Sequence, residues 1–215
     1  MTASDIPHDG LGALAGYDVV PLVGIKDPSS IDAIAEGLVA GGLPVAEVAL
    51  RGEHGLAGIA RMAARGDMLV GAGTVLSVDQ AREALDAGAA FVVTPGFDID
   101  VVRYVRDAGI PIVPGVLTPS EVIAARNEGL RRVKLFPAGV FGGLKLLSAY
   151  ADVFRDMQFM PSGGISQANL AEHLEHRAVF AASGSWIASA GSADSIAEAA
   201  RVAVETARTV RGGAA

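Results

Sequence analysis

An alternation that repeats eight times constrains this chain more than any other feature. Short apolar, strand-like runs occupy residues 19–25, 45–50, 68–74, 91–95, 110–114, 132–136, 158–161 and 179–184. Their starts fall roughly 20 to 26 residues apart, the length of one strand–helix unit with short loops. Between them lie Ala-rich segments of helical period at 29–40, 53–65, 78–87, 99–108, 119–128, 144–151, 167–176 and 193–208. Ser77 and Thr118 are placed as N-caps, with Pro119 at a first helical position. Gly88, Gly109 and Gly129 follow helices where a left-handed C-cap favours glycine.

Runs that are apolar on both faces suit parallel strands covered on both sides. Eight such units in 215 residues close most economically as a single-domain (β/α)8 barrel over residues 1–215. An open doubly wound sheet is the structural competitor. Residues 1–17 read as a leader or short N-terminal capping helix, and 212–215 as a frayed tail.

Charge and composition narrow the function. The formal charge of -7 disfavours nucleic acid or an anionic membrane as a partner, while leaving a small anionic substrate open. With no cysteine, disulfides, thiolate metal sites and cysteine nucleophiles are excluded. Asp5, His8 and Asp9 stand where a secretion signal would be basic and then apolar, so a cytoplasmic location is expected.

Only three of the 17 basic side chains are lysines, Lys26, Lys134 and Lys145. Lys134 lies inside an apolar run, where an ammonium is costly to bury. Arginine keeps its proton near neutral pH, whereas a desolvated lysine can lose it and become a nucleophile. The bland alternative is a lysine that snorkels to solvent from a strand end.

Alternation assigns faces. In the second run Val45, Glu47, Ala49 and Arg51 face inward, and Ala46, Val48 and Leu50 face the helix layer. In the sixth, Lys134 and Phe136 share one face and Val133 and Leu135 the other. In the third, Val70, Ala72 and Thr74 lie together, with Thr74 at the C-terminal end. Glu47, Arg51, Thr74 and Lys134 thus converge at the mouth where barrel enzymes keep their sites. A structural Glu47–Lys134 ion pair, a Glu47–Arg51 pair and a Thr74 hydroxyl that caps its own loop remain the non-catalytic alternatives.

Ser162, Gly163 and Gly164 follow the seventh run, and Gly184 and Ser185 end or follow the eighth. Glycine lets backbone N–H groups approach an anion, and phosphate sites of barrels lie between these loops. His173 and His176, flanked by Glu172 and Glu175, read as a solvated outer face rather than a metal pair. His54 reads as a loop residue. Nucleotide and serine-hydrolase motifs are absent.

Taken together, Glu47-Val48-Ala49-Leu50-Arg51, Gly71-Ala72-Gly73-Thr74-Val75, Thr94-Pro95-Gly96, Pro114-Gly115 with Thr118-Pro119-Ser120-Glu121, Lys134-Leu135-Phe136-Pro137-Ala138, Ser162-Gly163-Gly164-Ile165 and Gly184-Ser185-Trp186 closely resemble the 2-keto-3-deoxy-6-phosphogluconate and 4-hydroxy-2-oxoglutarate aldolases. The resemblance runs from about residue 19 to 187. It implies a cofactor-free, metal-free class I aldolase, usually a homotrimer, that forms pyruvate and glyceraldehyde 3-phosphate from the phosphorylated keto acid. By matching position it makes Lys134 the Schiff-base lysine and Glu47 the proton-transfer carboxylate. Arg51 and Thr74 would hold the pyruvyl part, and Pro95 and Phe136 would shape the pocket. Ser162, Gly163, Gly164, Gly184 and Ser185 would bind phosphate. The chain departs from the family at Ala49, Gly52 and Ser162, and Ser162 keeps the hydroxyl of the usual threonine. Three alternatives stay open: the galactonate epimer as substrate, an isomerase or synthase barrel that uses Glu47 without an imine, and a binding barrel without catalysis.

Overall fold

The computed structural model describes residues 11–212. Its first element is a single 3-10 turn at Gly12–Gly16 whose Leu14 enters the core. The rest of the expected leader, residues 1–10, lies outside the described residues, as do residues 213–215 of the expected tail.

Among the described residues nine short strands and eight α-helices then follow. The first half runs β1 (Val19–Val23), α1 (Ile31–Ala40), β2 (Val45–Ala49), α2 (Gly55–Ala63), β3 (Leu69–Gly73), α3 (Val78–Asp86), β4 (Val92–Val93) and α4 (Ile99–Asp107). The second half runs β5 (Ile112–Val113), β6 (Gly115–Val116), α5 (Pro119–Asn127), β7 (Arg132–Leu135), α6 (Gly143–Val153), β8 (Gln158–Pro161), α7 (Leu170–Glu175), β9 (Ala182–Gly184) and α8 (Ala193–Gly212). The expected fifth run is thus two strands with Pro114 between them, because proline has no N–H to give the ladder.

All strand pairs are parallel. They form a six-stranded sheet in the order β5-β4-β3-β2-β1-β9 and a three-stranded sheet β6-β7-β8. Two isolated parallel bridges, Phe159↔Val179 and Ser162↔Ser183, run from β8 to the segment containing β9. Helices cover the outer faces, and β2 is buried along its whole length, the condition under which a strand reads as continuously apolar.

Helix ends follow the sequence signals. The Ser77 side chain accepts from the Gln80 amide, and Thr118 with Glu121 forms a reciprocal capping box before Pro119. Such caps are each worth about 1 kcal/mol. Gly88, Gly109 and Gly129 all have positive φ, as C-caps require. At the opposite end of the strands, Arg211 of α8 donates to Asp18 Oδ1 (3.0 Å) and to the carbonyls of Leu174 and Val179. That one guanidinium ties the last helix to the starts of the first and last strands. No helix among the described residues is long and apolar enough to cross a membrane.

Candidate active site

Lys134 sits in the middle of β7, between Val133 and Leu135, which are both fully buried. Its Nζ donates to Glu47 Oε1 at 2.9 Å, across the interior from β2. The lysine side chain is 6% exposed and the glutamate 0%. Desolvating two charges costs several kcal/mol per ion, so a buried pair is a poor device for stability and is commonly retained for another reason. The other two lysines, Lys26 and Lys145, are exposed. Phe136 lies on the same side of the chain as Lys134, with its ring centroid 5.5 Å from Nζ.

Strand β3 makes room for this pair by having no side chain there. A Cβ on Gly73 would stand 2.5 Å from Glu47 Oε1 and 2.6 Å from its Cγ, and one on Gly71 would collide with the ring of Phe91. Glycine here serves close approach. Gly71 and Gly73 therefore form the inner face of β3 and Val70 and Ala72 face the helix layer, so the expected grouping of Thr74 with Val70 and Ala72 fails where the strand ends at Gly73. Phe91 and Glu47 fill the interior from neighbouring strands. Thr74 then leaves the strand with φ 59°, an unusual backbone for a β-branched residue. Among the described residues its hydroxyl caps nothing, so the loop-capping alternative is not what the fold shows.

Arg51 also departs from simple alternation. Strand β2 ends at Ala49, and Arg51 lies in the following bend, exposed. Together with Lys26 and His54 it lines a cleft of about 540 Å³ at the C-terminal ends of β1 and β2. His54 is the residue before α2, as a loop position should be.

Pro95 is half-buried and meets Gly115 so closely that a Cβ there would overlap its carbonyl. Thr94, buried beside it, accepts from the Gly115 amide (3.2 Å) and donates to the Gly96 carbonyl (2.6 Å). The wall on that side is thereby fixed.

The two glycine loops do meet. Ser162 bridges Ser183, and Gly184 is held so close to Ile165 O and the Trp186 ring that a side chain would not fit. The 162–164 loop is further tied to the end of β7, because the Ala138 and Gly139 amides donate to Ser162 O (2.8 Å) and Gly163 O (2.7 Å). Gly163 and Gly164 both have positive φ, and a Cβ on Gly163 would crowd the Phe136 ring. Ser162 Oγ is buried without a partner among the described residues, and Ser185 is exposed. An orphaned buried hydroxyl is uncommon and calls for a reason.

The expected outer face of α7 also differs. His173 does not lie on a solvated face: it is buried, with Nδ1 2.8 Å from Asn169 O. His176 Nε2 is 3.2 Å from Ser148 Oγ on α6, and burial, with Arg177 and His173 nearby, holds its imidazole below the usual range. The short α7 turns this pair toward α6. Ser183, which the sequence places in the eighth run with no role of its own, is fully buried in β9 and donates through Oγ to Glu47 Oε2 at 3.2 Å.

The geometry offers a primary amine, a carboxylate in contact with it, an aromatic wall and a paired glycine-loop rim. These suit imine chemistry on a small anionic carbonyl compound. Comparison with known proteins points the same way. The family model for KDPG and KHG aldolase matches residues 13–202. A 2-dehydro-3-deoxy-phosphogluconate aldolase of Pseudomonas aeruginosa is 41% identical over 170 residues, covering 79% of this chain and 77% of the relative. The 2-keto-3-deoxy-6-phosphogluconate aldolase of Zymomonas mobilis ZM4, solved with 3-phosphoglycerate, superposes with a TM-score of 0.85 at 35% identity, covering 94% of this chain and 96% of that one. The KDPG aldolase of Legionella pneumophila, with pyruvate captured as a covalent carbinolamine, gives a TM-score of 0.85 at 32% identity, with 91% and 97% covered.

Proposed function

We propose a mechanism from the premise that the chain belongs to the KDPG and KHG aldolase family. It is a class I aldolase that cleaves 2-keto-3-deoxy-6-phosphogluconate to pyruvate and glyceraldehyde 3-phosphate, with 4-hydroxy-2-oxoglutarate as a second substrate of the same chemistry. The single observation that carries the mechanism is the buried contact between Lys134 Nζ and Glu47 Oε1.

Breaking the C3–C4 bond leaves an electron pair on the carbon beside the ketone. Neutral Lys134 adds to that ketone, and loss of water from the carbinolamine gives a cationic imine that can accept the pair. Glu47 takes the proton of the C4 hydroxyl, the C3–C4 bond breaks, the aldehyde departs and the pair moves to the imine nitrogen as an enamine. Glu47 returns a proton to C3, and water releases pyruvate and the free amine.

We assign Arg51 and Thr74 to the pyruvyl carboxylate and carbonyl end, and Pro95 and Phe136 to the pocket wall. Ser162, Gly163, Gly164, Gly184 and Ser185 are assigned to the phosphate. The orphaned Ser162 hydroxyl and the two positive-φ glycines support that last role. Fixing both ends of the substrate places the scissile bond over the amine and lowers the entropic cost of reaction.

We further infer that the two sheets are one closed (β/α)8 barrel. The bridges from β8 toward β9 join one seam, and β5 and β6, one residue apart, join the other. A cytoplasmic homotrimer is the reading that accompanies this assignment.

Pyruvate release, followed by a coupled dehydrogenase, tests the substrate. The gluconate-derived phosphorylated acid is expected to give kcat/KM about a hundredfold above 4-hydroxy-2-oxoglutarate, because binding at the distal phosphate contributes to the transition state. A higher value for the galactonate epimer would reassign the substrate, and no pyruvate from any of the three would overturn the activity.

A further inference from the structure

We propose that Ser183 is a positioning residue for the proton-transfer carboxylate, an inference that rests on the assignment of Lys134 and Glu47 above. Glu47 has two partners, one on each oxygen: Lys134 Nζ on Oε1 and Ser183 Oγ on Oε2. These partners differ in what happens to them. When Lys134 becomes an imine its amine is consumed, and the contact that fixed Oε1 changes with it. The serine hydroxyl takes no part in bond making and keeps its hold on Oε2 throughout.

Register makes the arrangement firm. Ser183 pairs with Val20 of β1 and Glu47 with Leu22 of the same strand, so both side chains project from one face two residues apart. Ser183 is 0% exposed and its hydroxyl has no other hydrogen-bond partner among the described residues. On the far side, the missing side chain of Gly73 leaves Oε1 against bare backbone. A carboxylate that is otherwise free to rotate about its terminal bond is thus pinned at Oε2 by a hydroxyl that does not react, while Oε1 faces the reacting amine. The donor is neutral, so it orients the base without cancelling its charge, as a second cation would.

A serine that merely satisfied a buried carboxylate would affect folding and nothing else. The test therefore counts intact sites first and measures proton transfer per site. Borohydride with pyruvate reports the fraction of chains that form the imine, and deuterium entry into the pyruvate methyl group reports proton transfer to and from C3. In Ser183→Ala the labelled fraction should stay at the wild-type level, while exchange per labelled site and kcat fall roughly tenfold to a hundredfold. KM should move by less than about threefold. Ser183→Thr, which keeps the hydroxyl, should recover exchange to within about threefold of the wild type.

Exchange per labelled site in Ser183→Ala within about twofold of the wild type would overturn the proposal. So would a loss of labelling in proportion to the loss of exchange, or a fully labelled Ser183→Thr as slow as Ser183→Ala. If wild-type protein is itself not labelled, the imine assignment fails rather than the role of Ser183.

Discussion

Replacing Lys134 with alanine is expected to lower pyruvate release on the order of 10⁴-fold or more, since no other group in contact with Glu47 can form the imine. The same change has a second, separable consequence. Glu47 is 0% exposed and would keep only the Ser183 hydroxyl as a partner. Removing one member of a buried ion pair costs about 3–5 kcal/mol, which for a domain of this size lowers the melting temperature by roughly 10 °C. Activity is therefore compared at a temperature where circular dichroism shows both proteins folded. Combining Lys134→Met with Glu47→Gln removes both charges and should recover most of the lost stability with none of the activity. Turnover that survives in folded Lys134→Ala would favour a base mechanism without an imine.

The second large effect separates the two halves of the chemistry. Glu47→Gln keeps the size of the side chain and an oxygen for Ser183, but removes the proposed base. Turnover should fall about 10²- to 10⁴-fold, the usual contribution of a positioned acid–base group. Pyruvate should still be trapped on Lys134, because imine formation uses the amine. Exchange of the pyruvate methyl protons should fall with turnover. A Glu47→Gln protein that retains wild-type exchange would place the proton transfer elsewhere.

Much of this site is legible in the amino-acid sequence, and what is not has identifiable causes. The sixth run is short and regular, so alternation alone puts Lys134 beside Phe136 and opposite Glu47. The caps at Ser77 and Thr118 and the three C-cap glycines are local signals and hold locally. Alternation misleads where the backbone departs from an even extended chain. At β3 the inner residues are the ones without side chains, and a pattern of apolar residues cannot register an empty face. Placing Arg51 by alternation carries the pattern past Ala49, the last residue that is still strand. His173 has acidic neighbours in sequence that suggest solvent, whereas α6 covers the helix face on which it lies.

Ser183 is the more instructive omission. Two residues separate Phe159 from Ser162, but three separate their bridge partners Val179 and Ser183. The extra residue shifts the register, as a bulge does. Phe159 faces the helix layer, its ring 5.9 Å from that of Tyr150 on α6, so counting by twos from its partner Val179 sends Ser183 outward. The inserted residue turns it inward, onto Glu47. Seeing this requires a pairing partner, and a single run of sequence does not contain one.

The assignment of one nitrogen carries the rest, and covalent trapping reads it directly. Wild-type protein is incubated with pyruvate, reduced with borohydride, digested and mapped by mass spectrometry. The expected result is one reduced pyruvyl adduct per chain, on Lys134, the buried member of the three lysines. An adduct on exposed Lys26 or Lys145 instead, or no adduct in a preparation that releases pyruvate from substrate, would contradict it.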